Sequence, residues 1–144
     1  MNAAKEEELA VGRHFAAVPY LLDDAAAQAY ERGLKHPPRR ESRTNIHTDR
    51  AAATRAGFAA PIAAGEHTIA IVMQLVVDTF GERFLRSGGF EVALVKPVFF
   101  GDTIAAHARI ARAEQDQLEI DLWVVNQHGA QVLTGTARVR TAEQ

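Results

Sequence analysis

The sequence contains no cysteine. That excludes a disulfide framework, a catalytic thiol, and thiolate-held zinc or iron–sulfur clusters, and it is compatible with a reducing compartment. A metal would have to be held by His, Asp or Glu, and no His-Glu-x-x-His pattern occurs. A charge excess of either sign is lacking too: 16 Lys+Arg stand against 18 Asp+Glu, a formal net charge of −2. No broad basic field exists of the kind that nucleic-acid binding requires. Long hydrophobic runs are missing as well. The longest, Ile69 to Val77, is interrupted by Gln74 and falls far below the roughly 20 residues of a membrane span. Met1 to Ala10 is polar and acidic, with Lys5, Glu6, Glu7 and Glu8 and no apolar stretch typical of a secretory signal. These absences lead us to expect no metal, no cofactor, no nucleic-acid partner, no membrane partner and a cytoplasmic location.

What is present suits one ordinary domain. A chain of 144 residues, 47% hydrophobic, buries about 68–70% of its unfolded surface and supports a core without staples. We expect a single domain over 1–144, with 1–10 as a flexible tail. No internal repeat or low-complexity segment is visible, but the character of the chain changes near Gly88, from helical patterns to strand patterns.

Before that point, Asp23 is placed to cap a short helix over Asp24 to Leu34 that stops near Gly33, and Lys35-His36-Pro37-Pro38-Arg39-Arg40 reads as a loop. Thr48 is placed to cap a helix over Asp49 to Ala56, ended by Gly57. A longer helix follows Gly65, with Ile69, Val72, Met73, Val76 and Phe80 on one stripe and Ile71, Leu75 and Val77 broadening it. So wide an apolar face predicts a helix wrapped on most sides.

After Gly88-Gly89, Phe90, Val92 and Leu94 alternate with Glu91 and Ala93 until Lys96-Pro97. Two further alternations follow, Ile104-Ala106-Ala108-Ile110 and Leu118-Ile120-Leu122-Val124, separated by the polar loop Glu114 to Gln117. Asn126-Gln127-His128-Gly129 is a hairpin turn into a last strand, Gln131 to Arg140. Helices first and antiparallel hairpins after them predict an α+β fold, one long central helix wrapped by a curved antiparallel β-sheet.

Four ordered blocks carry a family resemblance. They are Asn45-Ile46-His47-Thr48-Asp49 with the Ala-rich helix and Gly57-Phe58; Ala60-Pro61-Ile62-Ala63-Ala64-Gly65; Val95-Lys96-Pro97-Val98-Phe99-Phe100-Gly101-Asp102-Thr103; and Val125-Asn126-Gln127 with Val132-Leu133-Thr134-Gly135-Thr136-Ala137. Together they resemble the MaoC-like hydratases and dehydratases of the hotdog fold, which include the R-specific enoyl-CoA hydratases. The resemblance runs from Thr44 to Arg140, about two-thirds of the chain. It implies an Asp-x-Asn-Pro-x-His motif whose Asp and His activate a water for addition to an enoyl thioester. It also implies backbone N–H groups near a Gly that polarise the thioester carbonyl, and a homodimer that builds its tunnel between subunits.

His47 matches the family His and Gly65 the family Gly. Counting back from His47, the family Asp falls on Ser42, its Asn on Thr44 and its Pro on Asn45; a loop one residue longer brings Glu41 to the Asp position instead. The helix entrance also departs from the family, reading Ala64-Gly65-Glu66-His67 where apolar residues usually follow the Gly. Catalytic candidates are therefore His47, Glu66, His67, Glu41 and Ser42, and substrate-binding candidates are Gly65, Asn45 and Arg43.

Each has a plainer reading. His47 can be a helix-boundary residue bonded to backbone, but histidine titrates near neutral pH and suits proton transfer. Glu66 in a first turn is stabilised by the helix dipole, whereas His67 at that position is expected to be neutral. Asn45 can simply make a local turn. Lys35, Arg39, Arg40 and Arg43 read either as a solvated loop or as contacts to the phosphates of coenzyme A or a carrier pantetheine. Trp123 reads as packing. The resulting expectation is a hydratase, dehydratase or isomerase acting on an acyl thioester or enone-like substrate. The alternatives are a repurposed hotdog catalysing cyclisation, tautomerisation or thioester hydrolysis, and a non-catalytic binding subunit.

Overall fold

The computed structural model describes residues 9–33 and 45–141. Two short strands, β1 (His14–Ala16) and β2 (Tyr20–Leu22), precede α1 (Asp24–Gly33). After the second described segment begins come α2 (Arg50–Arg55), α3 (Gly65–Phe80) and α4 (Glu82–Ser87), then four strands: β3 (Gly89–Leu94), β4 (Asp102–Glu114), β5 (Gln117–Asn126) and β6 (Gln131–Arg140).

The caps follow from the side chains. Asp23 starts α1 as expected, its Oδ1 accepting the Ala26 N–H at 2.8 Å. For α2 the cap is Asp49 and not Thr48: Asp49 Oδ1 accepts the Ala52 N–H at 2.7 Å. A carboxylate is the stronger acceptor for an N-terminal N–H, and the Thr48 hydroxyl is engaged elsewhere, donating to Asn45 Oδ1 at 3.1 Å. Gly57 follows α2 with a φ of 91°, the left-handed exit its position predicts. Asp49→Ala is expected to destabilise the protein by about 1 kcal/mol, read as a lower urea midpoint.

Inward positions of the long strands alternate as predicted. Ile104, Ala106, Ala108 and Ile110 of β4 and Leu118, Ile120, Leu122 and Val124 of β5 are all buried. The sheet has six strands, all antiparallel, in the order β1-β4-β5-β6-β3, with β2 also pairing with β4. The register shifts between Ile110 and Arg112 and again between Val124 and Val125. The second shift makes Val132 an extra residue, so Val132 and Leu133 are both buried although adjacent. Such bulges sharpen the twist, and the sheet curls around α3.

Val72, Val76 and Phe80 of α3 pack with Leu22, Ile110 and Leu122 in one core. The stripe Ile69, Met73 and Val77 is half-buried against that core's margin, while Thr68, Leu75 and Thr79 are buried beside it. This is the hotdog arrangement. At the β6–β3 seam, Gly135 is opposite Val92, and a Cβ there would collide with the Glu91 carbonyl and Val92; only glycine lets the strands approach so closely.

Three features depart from the sequence pattern. Strands β1 and β2 lie before Gly88, in what reads as the helical half; at three residues each they are too short to display a period. Helix α4 is a single short turn-and-a-half after Gly81 and shows no stripe. Strand β4 extends to Glu114, which narrows the polar loop to Gln115 and Asp116. Helix α1 ends at Gly33; Leu34 and the basic loop lie outside the described residues. No described helix is long and apolar enough to cross a membrane.

Candidate functional site

His47 is held by a turn built on Asn45. The His47 N–H donates to Asn45 Oδ1 at 2.8 Å, and the Thr48 and Asp49 N–H groups donate to the Asn45 carbonyl at 3.2 and 3.0 Å. Asn and Asp favour such turns because the side-chain oxygen substitutes for a backbone acceptor. The imidazole itself is half-buried, and its Nδ1 lies 2.8 Å from the Ile62 carbonyl. A carbonyl only accepts, so Nδ1 carries the proton, and in the neutral ring the lone pair is on Nε2.

The same stretch is tied twice more. The Ile62 N–H donates to the Ile46 carbonyl at 3.1 Å, and the Ala63 N–H donates to the Val98 carbonyl at 2.8 Å. These bonds fix the segment from Ile62 into α3 between the His47 turn and the 98–99 segment, where Ile62 also bridges Phe99. Helix α3 then starts abruptly: Ala64 is the N-cap residue and supplies no side-chain acceptor. The N–H groups of Gly65 and Glu66 have no intrahelical acceptor by helix geometry, and they sit at the positive end of the helix dipole. Leu94 overhangs Gly65 so closely that a Cβ would strike its Cδ1.

The two titratable residues after Gly65 diverge. Glu66 is exposed in the first turn, where negative charge is favoured by the dipole. His67 is 5% exposed; its ring stacks on Tyr30 of α1, with centroids 4.5 Å apart and planes at 7°, and meets Tyr20 of β2 edge-on at 5.5 Å. Burial pushes the His67 pKa below the usual 6.5, so the ring is neutral near pH 7. It lines a cavity of about 710 Å³ between α3, β1 and α1, to which His47, Gly65 and Glu66 do not contribute.

The structure therefore joins His47 to the Gly65 helix entrance through Ile62, turns Glu66 to solvent and places His67 in a separate cavity. Asn45 organises the turn under His47. Glu41, Ser42 and Arg43 lie outside the described residues. Tyr20 and Tyr30 escape sequence reading, because their contact with His67 joins three separate elements, β2, α1 and α3.

A pair of histidines lies on the outer sheet face, where His107 of β4 stacks with Trp123 at 5.2 Å and with His14 of β1 at 5.2 Å. Trp123 thus packs against histidines. The pKa of His107 is lowered by desolvation and secondarily by repulsion from His14.

These shifts set a pH dependence. A His whose folded pKa lies below its unfolded 6.5 binds fewer protons when folded, so stability is complete above about pH 6.5 and falls as acid protonates the unfolded form first. Urea midpoints are expected to drop between pH 7.5 and pH 5.5, and His67→Phe should flatten the part of that drop due to His67.

The MaoC like domain family matches residues 43–132. No curated protein sequence matches the chain. Among solved structures, the R-hydratase PhaJ1 from Pseudomonas aeruginosa is similar at 20% identity, covering 96% of this chain and 85% of its own with a TM-score of 0.71. The (R)-hydratase from A. caviae, involved in PHA biosynthesis, is similar at 22% identity, over 92% of this chain and 97% of its own, with a TM-score of 0.67. The ChsH1–ChsH2 complex from Mycobacterium tuberculosis matches at 15% identity over 92% of this chain and 98% of its own, with a TM-score of 0.69. At these identities the likeness establishes the shared hotdog fold, and the family match extends over more than half of the chain: this protein belongs to the MaoC-like domain family.

Proposed function

We propose that this protein adds water to an enoyl thioester, or removes it from the corresponding 3-hydroxyacyl thioester, with His47 as the proton-transfer residue. The observation that carries the reading is the bond from His47 Nδ1 to the Ile62 carbonyl at 2.8 Å. It fixes the tautomer that leaves Nε2 as a base, beside the segment that delivers Gly65 to the start of α3. In the hydration direction Nε2 takes a proton from water as its oxygen bonds to C3 of the enoyl group. The electron pair of the C2–C3 double bond moves through C2 and the carbonyl carbon to the thioester oxygen. The Gly65 N–H stabilises the oxyanion. The imidazolium then returns its proton to C2 as the enolate collapses, so one base balances the addition of one water. The names of the R-hydratases among the structural relatives support the type of reaction.

The working unit in this reading is a cytoplasmic homodimer. Among the described residues strand β3 is one of the two edges of the sheet, and Leu94 at its end and Val95 just after it are each 49% exposed. A second copy covering this edge would be seen as a dimer by light scattering.

Crotonyl-CoA tests the chemistry: the folded protein should remove the enoyl absorbance at a rate proportional to protein concentration, and no turnover above background would sink the hydratase reading. A second reading draws on the register that puts Ser42, and not Glu41, where the family has Asp. A serine there cannot act as a base at neutral pH, and the scaffold would then serve tautomerisation, cyclisation or thioester hydrolysis. Thiol release from crotonyl-CoA without 3-hydroxy product would favour its thioester-hydrolysis form.

A further inference from the structure

The cavity beside α3 holds a group that the proposed hydration does not use. His67 is 5% exposed, yet its ring nitrogens have no hydrogen-bond partner among the described residues. No side-chain nitrogen or oxygen that is sealed from solvent lacks a partner there. The unpartnered nitrogens of His67 therefore keep access to solvent, and the space that the residue lines is the 710 Å³ cavity, within the size range of small-molecule sites. Nitrogens that are accessible but have no protein partner are bonded by water or by a ligand.

The walls specify what would. Tyr30 and the His67 ring lie nearly parallel and Tyr20 meets the imidazole edge-on, so that end of the cavity is a set of aromatic surfaces. Phe15, Ala70 and Ile71 continue it as an apolar surface. A flat ring is the shape that such walls contact best. The neutral imidazole offers one N–H and one lone pair, and a hydroxyl both accepts and donates. Arg13 and Asp78, of opposite sign, also line the cavity, so the lining carries no net charge to favour an ionic ligand.

We propose that this cavity is a second ligand site, independent of His47 and Gly65, for an uncharged planar aromatic compound bearing a hydroxyl group, with His67 bonding that hydroxyl. The site does not depend on the hydratase reading, because the two sets of residues do not overlap.

The 144-residue protein titrated with 2-naphthol, and separately with naphthalene, reads this directly by ligand fluorescence without any turnover. The expected result is saturable 1:1 binding of 2-naphthol, about tenfold tighter than naphthalene, since one buried hydrogen bond distinguishes them. In His67→Phe, which keeps a ring and loses the nitrogens, the tenfold preference should vanish. In Ala70→Phe, which fills the cavity, neither compound should bind, while circular dichroism shows the fold retained. Nitrogen NMR of the wild type gives the same test without a substitution: the His67 ring signals should shift on adding 2-naphthol. Absence of saturable binding to the folded wild type, a preference that survives His67→Phe, or unmoved His67 signals would each overturn the proposal.

Discussion

His47→Ala is expected to lower kcat for enoyl-thioester hydration by about 10²–10⁴-fold, the usual contribution of a positioned acid–base group, while KM changes little. The variant should fold. The imidazole is half-buried and its removal deletes one bond to the Ile62 carbonyl, a loss of about 1 kcal/mol. His47→Gln separates the two roles of the ring. Its amide can donate to the Ile62 carbonyl as Nδ1 does, so the urea midpoint should recover toward wild type, but it has no proton to exchange near neutral pH and the rate should stay low. A His47→Gln enzyme with substantial turnover would show that the ring merely braces the entrance to α3.

The largest stability effect is expected at Phe80. It is 2% exposed in the last turn of α3, meets Phe15 edge-on with centroids 6.0 Å apart, and packs in the core with the inward residues of β4 and β5. Truncation to alanine removes the buried ring and leaves a cavity that the curled sheet cannot collapse to fill, and such changes cost about 3–5 kcal/mol. Against a total of about 5–15 kcal/mol for an ordinary domain, that is a large share, and it should appear as a drop in the urea midpoint. Leu94 provides the contrast. It overhangs Gly65 but is 49% exposed, so Leu94→Ala should move the midpoint far less; any effect on rate would come through the approach to the Gly65 N–H.

Much of this architecture is legible in the chain because burial has a period. Strands β4 and β5 each bury every second residue, and Ile104 to Ile110 and Leu118 to Val124 state that alternation without interruption. Helix α3 is equally legible, since a broad apolar face must be buried on most sides and the alternating strands that follow supply the sheet to cover it. Strands β1 and β2 carry no such pattern: they exist because β4 offers them an edge, which is tertiary information.

The cap of α2 shows a finer failure of the same kind. Thr48 and Asp49 are both good caps locally, and the choice falls to Asp49 because Asn45 engages the Thr48 hydroxyl. For the site, the His47 turn and the Gly65 helix start could be located from their motifs, but the tautomer of His47 depends on Ile62, fifteen residues away. The neutrality expected of His67 follows from its place in a first helical turn, whereas the cavity that surrounds it is assembled by Tyr20 and Tyr30 from separate elements.

Water addition assisted by His47 is tested most directly by running the reaction with crotonyl-CoA in ¹⁸O-labelled water and analysing the thioester product by mass spectrometry. The expected product carries one ¹⁸O at C3, accumulates in proportion to wild-type protein, and is nearly absent with His47→Ala. An unlabelled product, labelled free acid in place of a 3-hydroxyacyl thioester, or equal labelling by wild type and His47→Ala would contradict it.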